Sequence, residues 1–156
     1  MLAADLVWKW SPHGNVTDTH AKFQFEYFRR EEDGTLAFNT TDANQIGNFR
    51  STQSGWVAQG VYQFMPRWRV GVRHDALDPG TAQIGLVQVG ALSSADFPQL
   101  AAHHLKRDSV MVDFRPSEFS QLRVQLSRDR ARFDETDQQI FVQYTMSLGA
   151  HGAHKF

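Results

Sequence analysis

The chain has 156 residues, a formal net charge of -1 and no cysteine, with 41% hydrophobic, 21% charged and 12% aromatic residues. This length suits one domain, the composition excludes a disordered chain, and the lack of cysteine excludes disulfide scaffolds, thiolate metal sites and cysteine nucleophiles. The balanced charge offers no footing for nucleic acid, and no run approaches the ~20 apolar residues of a membrane helix.

The dominant hydrophobic period is two, which predicts strands. The first, 2–10, puts Leu2, Ala4, Leu6, Trp8 and Trp10 on one face and Asp5 and Lys9 on the other, and "SPHGN" turns the chain. The opening "MLAADLVWKW" lacks the basic start, apolar core and cleavage site of a signal peptide. That leaves a protein that is not exported, or a piece of something longer. In 20–30, Ala21, Phe23, Phe25 and Tyr27 oppose Lys22, Gln24, Glu26 and Arg30. A polar loop is expected over 31–51.

Segment 55–64 sets Trp56, Ala58, Tyr62 and Phe64 against Gln59 and Gln63, and "MPRW" makes a short turn. Segment 67–75 sets Trp68, Val70 and Val72 against Arg67, Arg69, Arg73 and Asp75. A long connection, 76–107, contains "SSADFPQLAAHHL", which reads as a short helix capped by Ser94 or Asp96. Then come 109–114, with Val110, Val112 and Phe114 against Asp113; the turn "PSEF"; 121–127, with Leu122, Val124 and Leu126 against Arg123; and a charged loop. The last segment, 139–148, opposes Ile140, Val142, Tyr144, Met146 and Leu148 to Gln139, Gln143, Thr145 and Ser147.

Connections alternate between short turns and long loops, and the polar faces carry full charges in mid-strand. A transmembrane β-barrel has this organisation: short turns on one side, longer loops on the other, apolar residues toward lipid and polar residues toward the lumen. Hydrocarbon supplies no hydrogen bonds, so the backbone must satisfy itself within the sheet. The expected fold is therefore an all-β antiparallel up-and-down meander of about seven strands, a partial, open or incompletely closed transmembrane barrel in a single domain, 1–156.

The lumen-facing candidates are Lys22, Glu26, Gln59, Gln63, Arg69, Arg73, Asp113, Arg123 and Gln143. The lipid-facing candidates are Leu6, Trp8, Phe23, Phe25, Trp56, Tyr62, Val70, Val110, Val112, Leu122, Val124, Ile140, Val142 and Tyr144. Trp8 and Trp10, Phe64 and Trp68, and Phe114 and Phe119 flank the three short turns, as an interfacial aromatic belt would; Tyr27 and Trp56 lie toward the opposite ends. The alternative on the same pattern is a soluble antiparallel barrel or sandwich with its apolar face inward around an apolar ligand.

The closing stretch "QQIFVQYTMSLGAHGAHKF" resembles the C-terminal signal of bacterial outer-membrane barrels, which the barrel-assembly machinery reads. The residues carrying it are Tyr144, Met146, Leu148 and Phe156, although Gly152 and His154 occupy alternate positions where that family favours apolar residues. Together with "GWVAQGVYQFMPRWRVGVRHDALD" and "VDFRPSEFSQLRVQLSRD", it is similar to the C-terminal end of porin-like, zinc-regulated TonB-dependent-receptor-like proteins. The resemblance implies the C-terminal strands of a longer outer-membrane barrel, contact with outer-membrane lipid and passage or receptor-type uptake of a small solute. Neither a plug domain nor an energy-coupling box is visible.

His103 and His104 adjoin on a loop, and imidazole suits zinc, as a transported or loop-bound ion. Adjacent residues point apart on a strand, and such pairs also occur on ordinary exposed loops. His151 and His154 read as part of a solvated tail. Arg67, Arg69, Arg73, Arg115, Arg123 and Lys22 either form a positive lumen or pair with Glu26, Asp75 and Asp113 across strands, and cross-strand pairing is the favoured reading. No catalytic motif appears, so no enzyme is expected.

Overall fold

The computed structural model describes residues 1–14, 17–40 and 43–148. It is one antiparallel sheet. The strands are β1 (Leu2–Trp10), β2 (His20–Thr40), β3 (Ala43–Met65), β4 (Trp68–Asp78), β5 (Gln83–Ile84), β6 (Leu105–Ser117), β7 (Ser120–Asp129) and β8 (Asp137–Met146). They pair in the order β1-β2-β3-β4-β6-β7-β8, with short β5 added to β3. β1 and β8 are not paired with each other, so the sheet is an open up-and-down meander.

Period-two patterning and strand-favouring Val, Ile, Phe and Trp explain the wall strands. The turns supply the reversals. Pro66 precedes Arg67, whose φ is 72°. Proline followed by a left-handed residue suits a tight reversal of the type II kind. Glu118 and Phe119 link β6 to β7 after a register shift between Phe114 and Ser117.

Two expectations need correction. The segment 31–51 is not a loop. β2 and β3 stay in unbroken register from His20↔Gln63 to Thr40↔Ala43, well past the last β3–β4 pair, Ser54↔Asp78. The hairpin therefore continues as a two-stranded ribbon beyond the sheet. Its alternation is hard to read because charged and polar residues occupy both faces of most of it. The second correction concerns 94–104. This stretch forms two single 3₁₀ turns, Ser94–Asp96 and Pro98–Leu100, and the cap is Ser93, which accepts from the Ala95 amide while Asp96 accepts from the Ser93 amide. Among the described residues the one α-helical turn, α1, lies earlier at Gly85–Gln88.

The apolar core lies away from the main sheet. Ile84, Leu86 and Phe97 are buried and pack with Leu36, Phe38 and Phe49 of the ribbon. By register, Leu36, Phe38 and Phe49 continue the face that carries Lys22, Glu26 and Gln59 lower down. Segment 79–104 thus folds over the charged side of the sheet, above its loop end.

Gly80 fastens this cap. Its φ is +63°, and a Cβ there would meet the Thr52 carbonyl oxygen at 2.1 Å. Gly80→Val is expected to release the cap, since the left-handed conformation alone costs an L-residue about 1–2 kcal/mol and the collision adds to it. Hydrogen exchange of the amides of 83–100 should accelerate while that of β6 and β7 stays unchanged.

Candidate functional site

Alternation and register divide the sheet into two contrasting faces. All nine lumen-facing candidates share one face, and all fourteen lipid-facing candidates share the other. Among the described residues every buried position of the main sheet is on the charged face: Gly55, Gln63, Gly71, Ser109, Asp113, Ser127 and Asp129. On the other face, Leu6, Trp8, Val70, Val110, Val112, Leu122, Val124, Ile140, Val142 and Tyr144 are exposed. Burial therefore runs opposite to the usual order, in which charged groups stay out and apolar ones go in.

Both faces are concave in part. Lys9 of β1 and Arg123 of β7 line a trough of about 560 Å³ on the charged face, and Phe23 of β2 and Ile140 of β8 line a cavity of about 1000 Å³ on the apolar face. Five strand steps separate each pair, so on a flat sheet its members would stand ~24 Å apart.

Register sorts the charges into rows. One row runs His20, Gln63, Arg69, Asp113, Arg123 and Gln143. Beside it, Lys9 directly faces Lys22. Two rows nearer the loop end lie Asp5, Glu26, Asp75, Arg107, Asp129 and Asp137. The trough is therefore basic toward the short turns and acidic toward the cap.

Asp113 anchors the first row and is 0% exposed. Its Oδ2 accepts from Arg69 Nη2 at 2.6 Å, and its Oδ1 from Arg123 Nε at 2.7 Å. Arg69 also reaches Gln121 Oε1 at 3.3 Å, but its buried Nε has no partner among the described residues. Arg73 forks onto Asp75, with Nε and Nη2 donating at 2.6–3.0 Å. Arg107 pairs with Asp129, and Ser109 and Ser127 share a 2.9 Å hydrogen bond. Of the expected cross-strand pairs, those on Asp113 are present, while Arg73 and Asp75 pair along their own strand; among the described residues no ion pair involves Glu26, and no carboxylate pairs with Lys9 or Lys22.

The histidine pair separates. His103 stacks on Phe133 with centroids 4.2 Å apart, while His104 Nδ1 lies 3.6 Å from Asp78. His74 sits on the apolar face and bonds Asp108 at 2.5 Å. Among the described residues no three potential metal ligands gather.

At the turn end of the apolar face, Trp68 and Phe114 pack at 4.6 Å, with exposed Trp10 and Phe64 nearby in the same band. Tyr144 and Met146 end β8 on this face, and Leu148 is exposed just beyond it. Phe156 lies outside the described residues. Parity assigns Lys9, Asp5, Asp75 and Arg115 to the charged side, whereas Arg107, Asp129 and Asp137 fall in segments expected to be loops and prove to be strand residues on that side. Their grouping into a basic and an acidic row depends on register, which no single segment reveals.

The structure thus defines an open antiparallel β-sheet with an enclosed charged face and an exposed apolar one. No protein-family model matches the chain, and no solved structure matches it. The chain is 29% identical over 139 residues to an uncharacterized protein of Aquifex aeolicus (strain VF5). The match covers 86% of this chain and 26% of that protein, so the chain spans about a quarter of that relative's length.

Proposed function

We propose that this chain forms part of the wall of an outer-membrane β-barrel whose water-filled side passes a small solute. The observation that carries the reading is the burial of the faces: among the described residues the side chains enclosed in the main sheet are all on the charged face, while a band of Val, Leu, Ile and Trp is left in the open. Contiguous exposed apolar surface of this extent calls for a partner. Lipid suits it because the band covers every wall strand and ends in aromatics at the turn side.

The band also slants. On β1 it reaches from Trp10 to Leu2, whereas on β6 and β7 it ends at Val110 and Leu126, and charged Asp108 and Arg128 follow. An apolar layer of constant height crosses tilted strands in this staggered manner.

The open edges fit the same reading. β1 and β8 each have one unpaired side, and unpaired backbone groups are costly in hydrocarbon. Further strands, from a longer polypeptide or from additional copies, would close the wall. The cap over the loop end of the trough would then stand at the mouth and restrict what enters. The soluble alternative would need the apolar face to be the enclosed one.

The test is folding in two solvents. The purified chain is expected to give a β-sheet circular-dichroism spectrum and a single species in detergent micelles, and to aggregate when the detergent is diluted away. A folded monomer in plain buffer would reject the proposal.

A further inference from the structure

We propose that the basic end of the trough is a binding site for a small multivalent oxyanion, bearing phosphate or carboxylate groups. The site rests on the barrel reading for its route of access, and its binding is measurable independently. Lys9, Lys22, Arg69, Arg115 and Arg123 line the 560 Å³ pocket between β1 and β7, with Gln59 on the floor. One lining carboxylate would be expected for each cation in a self-neutralised wall; among the described residues none lines this pocket, and Asp113, in the row of Arg69 and Arg123, is shared by both.

Three features favour an anion at this place. Lys9 and Lys22 are direct register partners on the same face, an arrangement that repels. Neither has a carboxylate partner among the described residues. Arg115 is bonded through Nε to Gln121 at 3.1 Å, which orients its guanidinium without neutralising it. An oxyanion between the lysines and the guanidiniums would remove the repulsion, and arginine forks match planar carboxylate and tetrahedral phosphate alike.

The acidic row, two rows away, gives the site a sense. An anion is repelled by Asp5 and Glu26, which also face each other directly, and is drawn to the turn end. The ligand therefore needs enough charge to reward that passage, which favours a multivalent solute over chloride.

The experiment uses the folded chain in detergent at low ionic strength, titrated in parallel with inorganic pyrophosphate, citrate and sodium chloride of matched ionic strength. Binding is read from tryptophan fluorescence, since Trp10 borders the pocket, and from thermal stability. One or both multivalent anions are expected to saturate below about 1 mM and to raise the melting temperature, as any ligand of the native state does. Lys9→Gln/Lys22→Gln should weaken binding at least tenfold, and Asp113→Asn, which frees one more positive charge, should tighten it. Equal responses to chloride, or unchanged binding in the double lysine variant, would overturn the site. A chain that folds only in detergent yet ignores both anions loses the site and keeps the barrel; a chain that folds in buffer and still binds loses the barrel and keeps the site.

Discussion

Asp113→Ala is expected to be among the most damaging single substitutions in the sheet. The carboxylate is fully buried between Arg69 and Arg123, its register partners on the two neighbouring strands. Removing it leaves two guanidiniums facing each other with nothing between them. Breaking a buried pair by deleting one partner costs about 3–5 kcal/mol, and the partial exposure of the arginines places this case near the lower end. Urea unfolding in detergent should show the loss. Replacing all three by leucine should restore most of it, because no charge is then stranded. A loss below about 0.5 kcal/mol in the single variant, the range of an ordinary surface change, would mean that water reaches the triad freely.

Val124→Arg separates water from lipid as the medium of the apolar face. Val124 is 43% exposed and lies in one row with Val112 and Val142. In water, arginine at such a position changes stability by no more than about 0.5 kcal/mol. At the middle of a bilayer the same side chain costs about 2–4 kcal/mol. Unfolding of both variants in lipid vesicles should reveal the larger figure, with Gln125→Arg, one residue along and on the charged face, as the benign control. Equal behaviour of the two substitutions would remove lipid as the partner of this face.

Much of this architecture is legible in the residue order, for a definite physical reason. Period-two alternation assigns a side chain to a face without any knowledge of its neighbours, so Leu122, Val124 and Ile140 on one side and Arg69, Asp113 and Arg123 on the other can be read directly. Register is a different quantity. It depends on turn geometry and on bulges such as that between Phe114 and Ser117, so the opposition of Lys9 to Lys22 and the acidic row were not readable. The ribbon was hidden for a third reason. In "EEDGTLAFNT", Leu36 and Phe38 alternate with Ala37 and Asn39, but the five residues before them are charged, glycine or threonine, and a segment paired only with its own hairpin partner needs no sustained apolar face. The cap was missed because four-residue helices and single 3₁₀ turns carry no period.

The order of pairing has a bearing on how the chain assembles. Every wall strand hydrogen-bonds to its neighbour in sequence, so each addition closes only a short stretch of chain. The exception is the step from β4 to β6, where Leu77 must find Leu105 across the whole of the cap. Closing a longer flexible segment carries more entropy loss, though the dependence is only logarithmic. Here the segment is held along the ribbon by β5 on β3 and by Ile84, Leu86 and Phe97. Once those contacts form, the two ends of the span are already near each other, and the distant pairing becomes almost as local as a hairpin.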